Sequence, residues 1–126
     1  MVDNEEKFEL REEEIQNTNN LLSNDQEINI QDNATLEASV YSNSGTICVG
    51  QNATVIGSIR SNSGNVIIMN NAKITKDIST NSSSIELKDN CEIDGDVYTN
   101  SGTINTAKGC VIKGEVFSTT GKINIS

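Results

Sequence analysis

The chain has 126 residues with no Pro, no Trp, no His and only four aromatic side chains, too few to fill a conventional globular core of this length. Its formal charge of −9, without a basic cluster, argues against nucleic acid or anionic lipid as main partners, because both reward basic patches. No apolar run is long enough for a membrane-spanning helix, no basic-then-apolar leader is visible, and an odd number of cysteines fits a reducing compartment, so the chain reads as cytoplasmic.

Residues 1–26 stand apart by charge, with eight acids against Lys7 and Arg11. Asp3 with Glu6 three residues later resembles a capping box, and the Glu-rich stretch to Gln16 favours helix. Phe8, Ile15 and Leu22 are seven apart, too sparse for a coiled-coil seam. The expectation is an acidic tail over 1–26, partly helical, with a disordered Asn-rich linker from Asn17 to Gln26.

From Glu27 a 19-residue period takes over. Copies start at Glu27, Thr46, Asn65, Ser84 and Thr103, and Lys122 opens a partial sixth. A short fixed period marks a solenoid, whose coils bury their apolar faces only by stacking. The second position is β-branched in every copy, from Ile28 and Ile47 to Ile104 and Ile123. The fourth runs Ile30, Val49, Ile68, Leu87, Thr106 and Ile125.

Two residues apart on a strand means one face, so these positions point inward together. Small residues at the eighth position (Ala34, Ala53, Ala72, Cys91, Cys110) and aliphatics at the tenth (Leu36, Val55, Ile74, Ile93, Ile112) form a second face. Aliphatics at the fourteenth (Val40, Ile59, Ile78, Val97, Val116), with Ser or Thr at the sixteenth, form a third. The six, six, seven spacing predicts an all-β fold: a single-stranded parallel β-helix of three-sided coils over 27–126, five full and one partial.

Corners should need left-handed backbone. Asn33, Asn52, Asn71, Asn90 and Gly109 recur at the seventh position, and Gly45, Gly64, Ser83, Gly102 and Gly121 at the nineteenth. A weaker glycine signal falls at the twelfth. Asn43, Asn62, Asn81 and Asn100 share the seventeenth position, either as an amide ladder or as solvated turn residues.

Enzymatic readings meet missing groups. A three-sided hexapeptide acyltransferase places a His base between subunits, and β-helical carbonic anhydrases use three His on zinc; this chain has no His, and imidazole is the side chain suited to proton transfer near neutral pH. Asp77, Asp96 and Glu115 stack at the thirteenth position beside Asp94, where one coil of separation would let carboxylates perturb each other or bind a cation. Lys76 and Lys113 interleave with them, and no long loop exists to form a cleft. Cys91 and Cys110 share an inward column at the edge of disulfide reach or as small apolar fillers. Cys48 points outward with no activating base pattern.

The Ser-Asn-Ser-Gly corner and the aliphatic-x-Gly-x-aliphatic stretches at Val55–Ile59, Ile93–Val97 and Ile112–Val116 resemble the bactofilin family of bacterial cytoskeletal proteins, over 27–126. The resemblance implies a right-handed β-helix that polymerises end to end without nucleotide or other cofactor and scaffolds cell-shape or envelope proteins, placing this chain in the cytoplasm or, through partners, at the inner face of the cell membrane. Some members carry a membrane-associating segment near the N-terminus; here that region is acidic, which argues against direct membrane attachment. The implied partner is a second copy of the chain. The C-terminal interface is expected at Ile123 and Ile125 with Phe117 nearby, and the N-terminal one at Ile28, Ile30, Leu36 and Val40. The alternative is a carbohydrate-active or cation-binding β-helix module.

Overall fold

The computed structural model describes the backbone of Phe8–Leu10 and residues 20–126. All regular structure there is β, arranged as three parallel sheets that the chain visits in turn. The first sheet contains β1 (Phe8–Leu10), β3 (Ile28–Ile30), β6 (Ile47–Val49), β9 (Val66–Ile68), β12 (Ile85–Leu87), β15 (Ile104–Thr106) and β18 (Ile123–Ile125). The second contains the two-residue strands β4 (Thr35–Leu36), β7 (Thr54–Val55), β10 (Lys73–Ile74), β13 (Glu92–Ile93) and β16 (Val111–Ile112). The third contains β2 (Asn20–Ser23), β5 (Ser39–Ser42), β8 (Ile59–Ser61), β11 (Ile78–Thr80), β14 (Val97–Thr99) and β17 (Val116–Ser118).

Register follows the sequence period. Ile28 pairs with Ile47, Val55 with Ile74, and Val97 with Val116, each 19 residues on. Each repeated residue therefore stands over its counterpart, about 4.8 Å from it. The three-sided parallel solenoid is as the spacing predicts.

The core is built from β-branched and small side chains in columns. Ile47, Val66, Ile85 and Ile104 at the second position, Val55, Ile74 and Ile93 at the tenth, and Ile59, Ile78 and Val97 at the fourteenth are all fully buried. Buried hydroxyls at the sixteenth position are satisfied within their own corner: Ser42 Oγ donates to the Gly45 carbonyl at 2.7 Å and Ser61 Oγ to that of Gly64 at 2.6 Å. A buried hydroxyl without such a partner would cost about 1–3 kcal/mol.

Corners have two different causes. Asn33, Asn52, Asn71 and Asn90 adopt φ of 61–66°, and Gly109 takes 77° in the same column, as left-handed corners require. The glycines at the nineteenth and twelfth positions do not have positive φ. They are there because coils approach closely: a Cβ on Gly64 would run into the Gly45 carbonyl, and one on Gly57 would stand 2.7 Å from the Ala38 carbonyl carbon. Left-handed backbone is thus the wrong reason for those two columns.

Polar side chains also lock coil to coil. Asn43 Nδ2 donates to Asn24 Oδ1, Asn62 to Asn43 and Asn81 to Asn62, each at 3.0 Å, and Asn100 to Asn81 at 3.2 Å. The seventeenth position is an amide ladder, and it starts one coil before Glu27.

The solenoid also begins earlier than expected. β2 pairs with β5 in the 19-residue register, Leu21 against Val40 and Ser23 against Ser42. β1 pairs with β3, Phe8 against Ile28. That offset is 20, so one extra residue lies between β1 and β2. The boundary at residue 27 is corrected accordingly: Asn20–Ser23 is strand rather than linker, and Phe8–Leu10 is strand where the Glu-rich stretch predicted helix. Ladder hydrogen bonds to a preformed sheet edge outweigh a helix propensity of a few tenths of a kcal/mol per residue. The rest of the expected helix from Asp3 to Gln16, and residues 17–19 of the linker, lie outside the described residues.

Candidate functional site

The final coil differs from every coil before it. Ile104 and Thr106 are buried, whereas Ile123 and Ile125, the next members of those columns, are 39% and 67% exposed. Val116 and Ile112 are only partly buried, although Val97 and Ile93 one coil earlier are fully so. Among the described residues, β16, β17 and β18 are the last strands of their sheets and are paired on one edge each. This end therefore offers inward-column side chains together with three rows of ladder donors and acceptors.

Phe117 sits beside this end, not on it. It points outward from β17 and its ring lies against Tyr98, centroids 5.5 Å apart and planes within 10°. Half its surface is exposed. It forms a rim to the final coil.

The opposite end is not where the repeat count put it. Ile28, Ile30, Leu36 and Val40 are all buried; β1 covers β3, which holds Ile28 and Ile30, and β2 covers β5, which holds Val40, while Leu36 lies in β4, the edge strand of the second sheet. Ile28, Ile30 and Val40 are core beneath those strands, and Leu36 is a buried side chain of an edge strand. The edges at that end, among the described residues, are β1, β4 and β2. The signal that could have revealed this is Leu21-Leu22-Ser23-Asn24, which matches Val40-Tyr41-Ser42-Asn43 position for position.

The acidic column has a structural use. Asp77 Oδ1 accepts the Asp96 backbone N–H at 2.8 Å, and Asp96 Oδ1 accepts that of Glu115 at 2.8 Å. In the first coil Ser39 Oγ does the same for the Ser58 amide at 3.1 Å. Glycine precedes the receiving residue because a Cβ on Gly95 or Gly114 would collide with the reaching carboxylate. Lys113 bridges Glu92 at 3.2 Å and Asp94 at 3.4 Å on the neighbouring face. Among the described residues, no three His, Cys, Asp or Glu side chains are grouped to hold a metal.

All three cysteines are free thiols. Cys91 Sγ donates to the Met69 carbonyl at 3.0 Å and Cys110 Sγ to that of Lys88 at 2.8 Å, so both fill the small-residue column and satisfy a corner carbonyl. Burial first, and the neighbouring Cys110 second, push the Cys91 thiol up to about 12. Burial also raises Cys48, with Glu27 and Asp32 adding to it. A thiol with a raised folded-state pKa leaves stability intact below its ordinary value near 9.0. Stability is then lost as pH climbs from that value towards the folded one. Iodoacetamide at pH 8 should therefore spare Cys91 in the folded chain and label it on denaturation, read by mass spectrometry. Labelling of native Cys91 at the denatured rate would contradict its place in the core.

No family profile, curated protein or solved structure matches the chain.

Proposed function

We propose that this chain is a non-enzymatic structural subunit of the bactofilin type. It assembles end to end with copies of itself, without nucleotide or metal, into filaments that scaffold cell-shape or envelope proteins from the cytoplasmic side. A β-solenoid is compatible with such a role, because its coil geometry can be continued from one molecule to the next. The observation that carries the reading is the contrast between Ile104 and Thr106, buried, and Ile123 and Ile125, open, in the same two columns.

Any strand set that continues these columns would cover the open coil. A second copy does so by presenting its β1, β4 and β2 edges to β18, β16 and β17. That contact is head to tail and does not close on itself, so it propagates as a filament. The unpaired ladder groups supply direction and register, and the apolar columns supply area at roughly 25 cal/mol per Å².

The test is assembly of the purified chain in the absence of nucleotide and divalent metal, followed by sedimentation and negative-stain microscopy. Filaments are expected. The double substitution Ile123→Lys and Ile125→Lys places two cations in the joint and should abolish them, while far-UV circular dichroism stays unchanged because both sites are exposed. Monomers at every salt and protein concentration, or filaments that survive the double substitution, would sink the proposal.

A further inference from the structure

Three of the four aromatic side chains fall in one outward column, the fifteenth position, which runs Leu22, Tyr41, Arg60, Ser79, Tyr98 and Phe117 along the outer face of the third sheet. Aromatic residues on a solvated sheet face serve no core. Leu22, Tyr41 and Phe117 are among the few large apolar side chains left exposed.

The column is uneven, and that gives it shape. Ser79 is short and half-buried, and a groove of about 340 Å³ opens over it, lined by Tyr41 and Tyr98 among others. The tyrosines are three coils apart, about 14 Å. Arg60 also lines the groove, and a second cavity of about 520 Å³, which shares Tyr41, Arg60, Ser79 and Tyr98 and extends to Leu22, adjoins it.

The groove and the cavity beside it both carry polar side chains. The amide ladder contributes Asn62, Asn81 and Asn100 to the lining of the groove. Each ladder Asn uses one Nδ2–H for its neighbour and keeps a second for a ligand. Asp77 and Asp96 line the adjoining cavity. Each uses Oδ1 to hold the next coil, which leaves Oδ2 as an acceptor.

We infer that this groove binds a neutral, extended polysaccharide strand lying along the solenoid axis. The ligand it suits has flat apolar faces and hydrogen-bonding edges. A pyranose with equatorial substituents has that form, since its axial C–H groups cover the ring faces and its hydroxyls lie around the rim. Aromatic planes take the faces, while amides and carboxylates take the edges. An extended β-linked glycan advances by about one coil per sugar, so successive residues meet successive ladder rungs. Charge selects against acidic glycans, because Asp77 and Asp96 line the adjoining cavity and the chain carries −9 overall. A single Arg60 does not offset them, and its planar guanidinium can stack on a sugar ring as the tyrosines do.

The test is isothermal titration of the full chain with cellohexaose and with N-acetylchitohexaose. Saturable binding of at least one is expected, with weaker binding of the matching disaccharide, which cannot reach both tyrosines. Tyr41→Leu with Tyr98→Leu keeps apolar area but removes the flat rings, and should weaken binding about tenfold or more. Circular dichroism checks that the variant remains folded, and Asn81→Ala, on the rim, is a second variant expected to weaken binding without touching the rings. Heat-silent titrations with both hexasaccharides, or binding unchanged in the double tyrosine variant, would overturn the inference. So would sugar-independent dimers that disappear in that variant, since the aromatic column would then be a side-to-side contact between copies. Filament formation is read separately and is expected to survive the tyrosine substitutions.

Discussion

Ile85→Ala should cost about 2–5 kcal/mol in urea unfolding followed by circular dichroism. Ile85 is fully buried in β12, between Val66 on one side and Ile104 on the other. The loss combines the transfer free energy of the deleted groups with a cavity that the column cannot close. Backbone ladders above and below fix the coil spacing, so neighbours cannot collapse into the gap. A solenoid adds a second consequence. Coils contact only their neighbours, so a weak middle coil divides the stack, and the transition should broaden as the two halves lose their coupling. A loss below about 1 kcal/mol with an unchanged slope would mean that the column is not packed as described.

Gly64→Val should be about as damaging, for a different reason. Gly64 does not have a left-handed φ, so an L-residue can adopt its backbone conformation. The obstacle is steric: its added Cβ would overlap the Gly45 carbonyl, which is backbone and cannot rotate away. Overpacking of this kind costs about 1–3 kcal/mol or more. The chain contains its own control. Ser83 occupies the same column, and its hydroxyl donates to the Gly64 carbonyl at 2.5 Å. Gly64→Ser should therefore be milder than Gly64→Val, because a hydrogen bond offsets part of the crowding. Thermal unfolding of the two variants side by side gives the ranking, and equal loss in both would count against a carbonyl contact as the cause.

Much of this fold was legible in the sequence because one period serves three tasks. Ile28, Leu36 and Val40 mark three inward faces, and Asn33 marks a corner whose left-handed φ almost any other residue would resist. What stayed hidden had physical causes. β1 is one residue out of frame, since Phe8 and not Glu9 pairs with Ile28, and a local run of Glu argued for helix where a distant sheet edge decided the outcome. The same miscount made Ile28, Ile30, Leu36 and Val40 look like an open end, although β1 lies over Ile28 and Ile30 and β2 over Val40, and of the four Leu36 alone sits in an edge strand, β4. The glycines at Gly64 and Gly95 carried the right signal with the wrong cause, because coil-to-coil approach leaves no trace in local sequence. The acidic column suggested a cation site, yet Asp77 and Asp96 turn their Oδ1 atoms to the next coil's amides. The C-terminal residues Ile123 and Ile125 are as exposed as expected, while Phe117 belongs to the flank.

The groove on the third sheet was half visible. Tyr41, Tyr98 and Phe117 share a column that any alignment of the repeats would display. Its depth depends on Ser79 being short and on the Asn ladder standing upright beside it, and both are properties of stacked coils. A filament built from such units would repeat the groove along its length, so a scaffold and a polysaccharide platform are compatible uses of one surface and two ends.

Filament diffraction bears most directly on end-to-end assembly. Oriented fibres of the purified chain should give a meridional reflection at about 4.8 Å, with the coil axis along the filament, and an axial subunit repeat of roughly 30 Å, the height of six to seven coils. A 4.8 Å spacing found on the equator would place the coils side by side and contradict the account, as would an axial repeat unrelated to the solenoid's length.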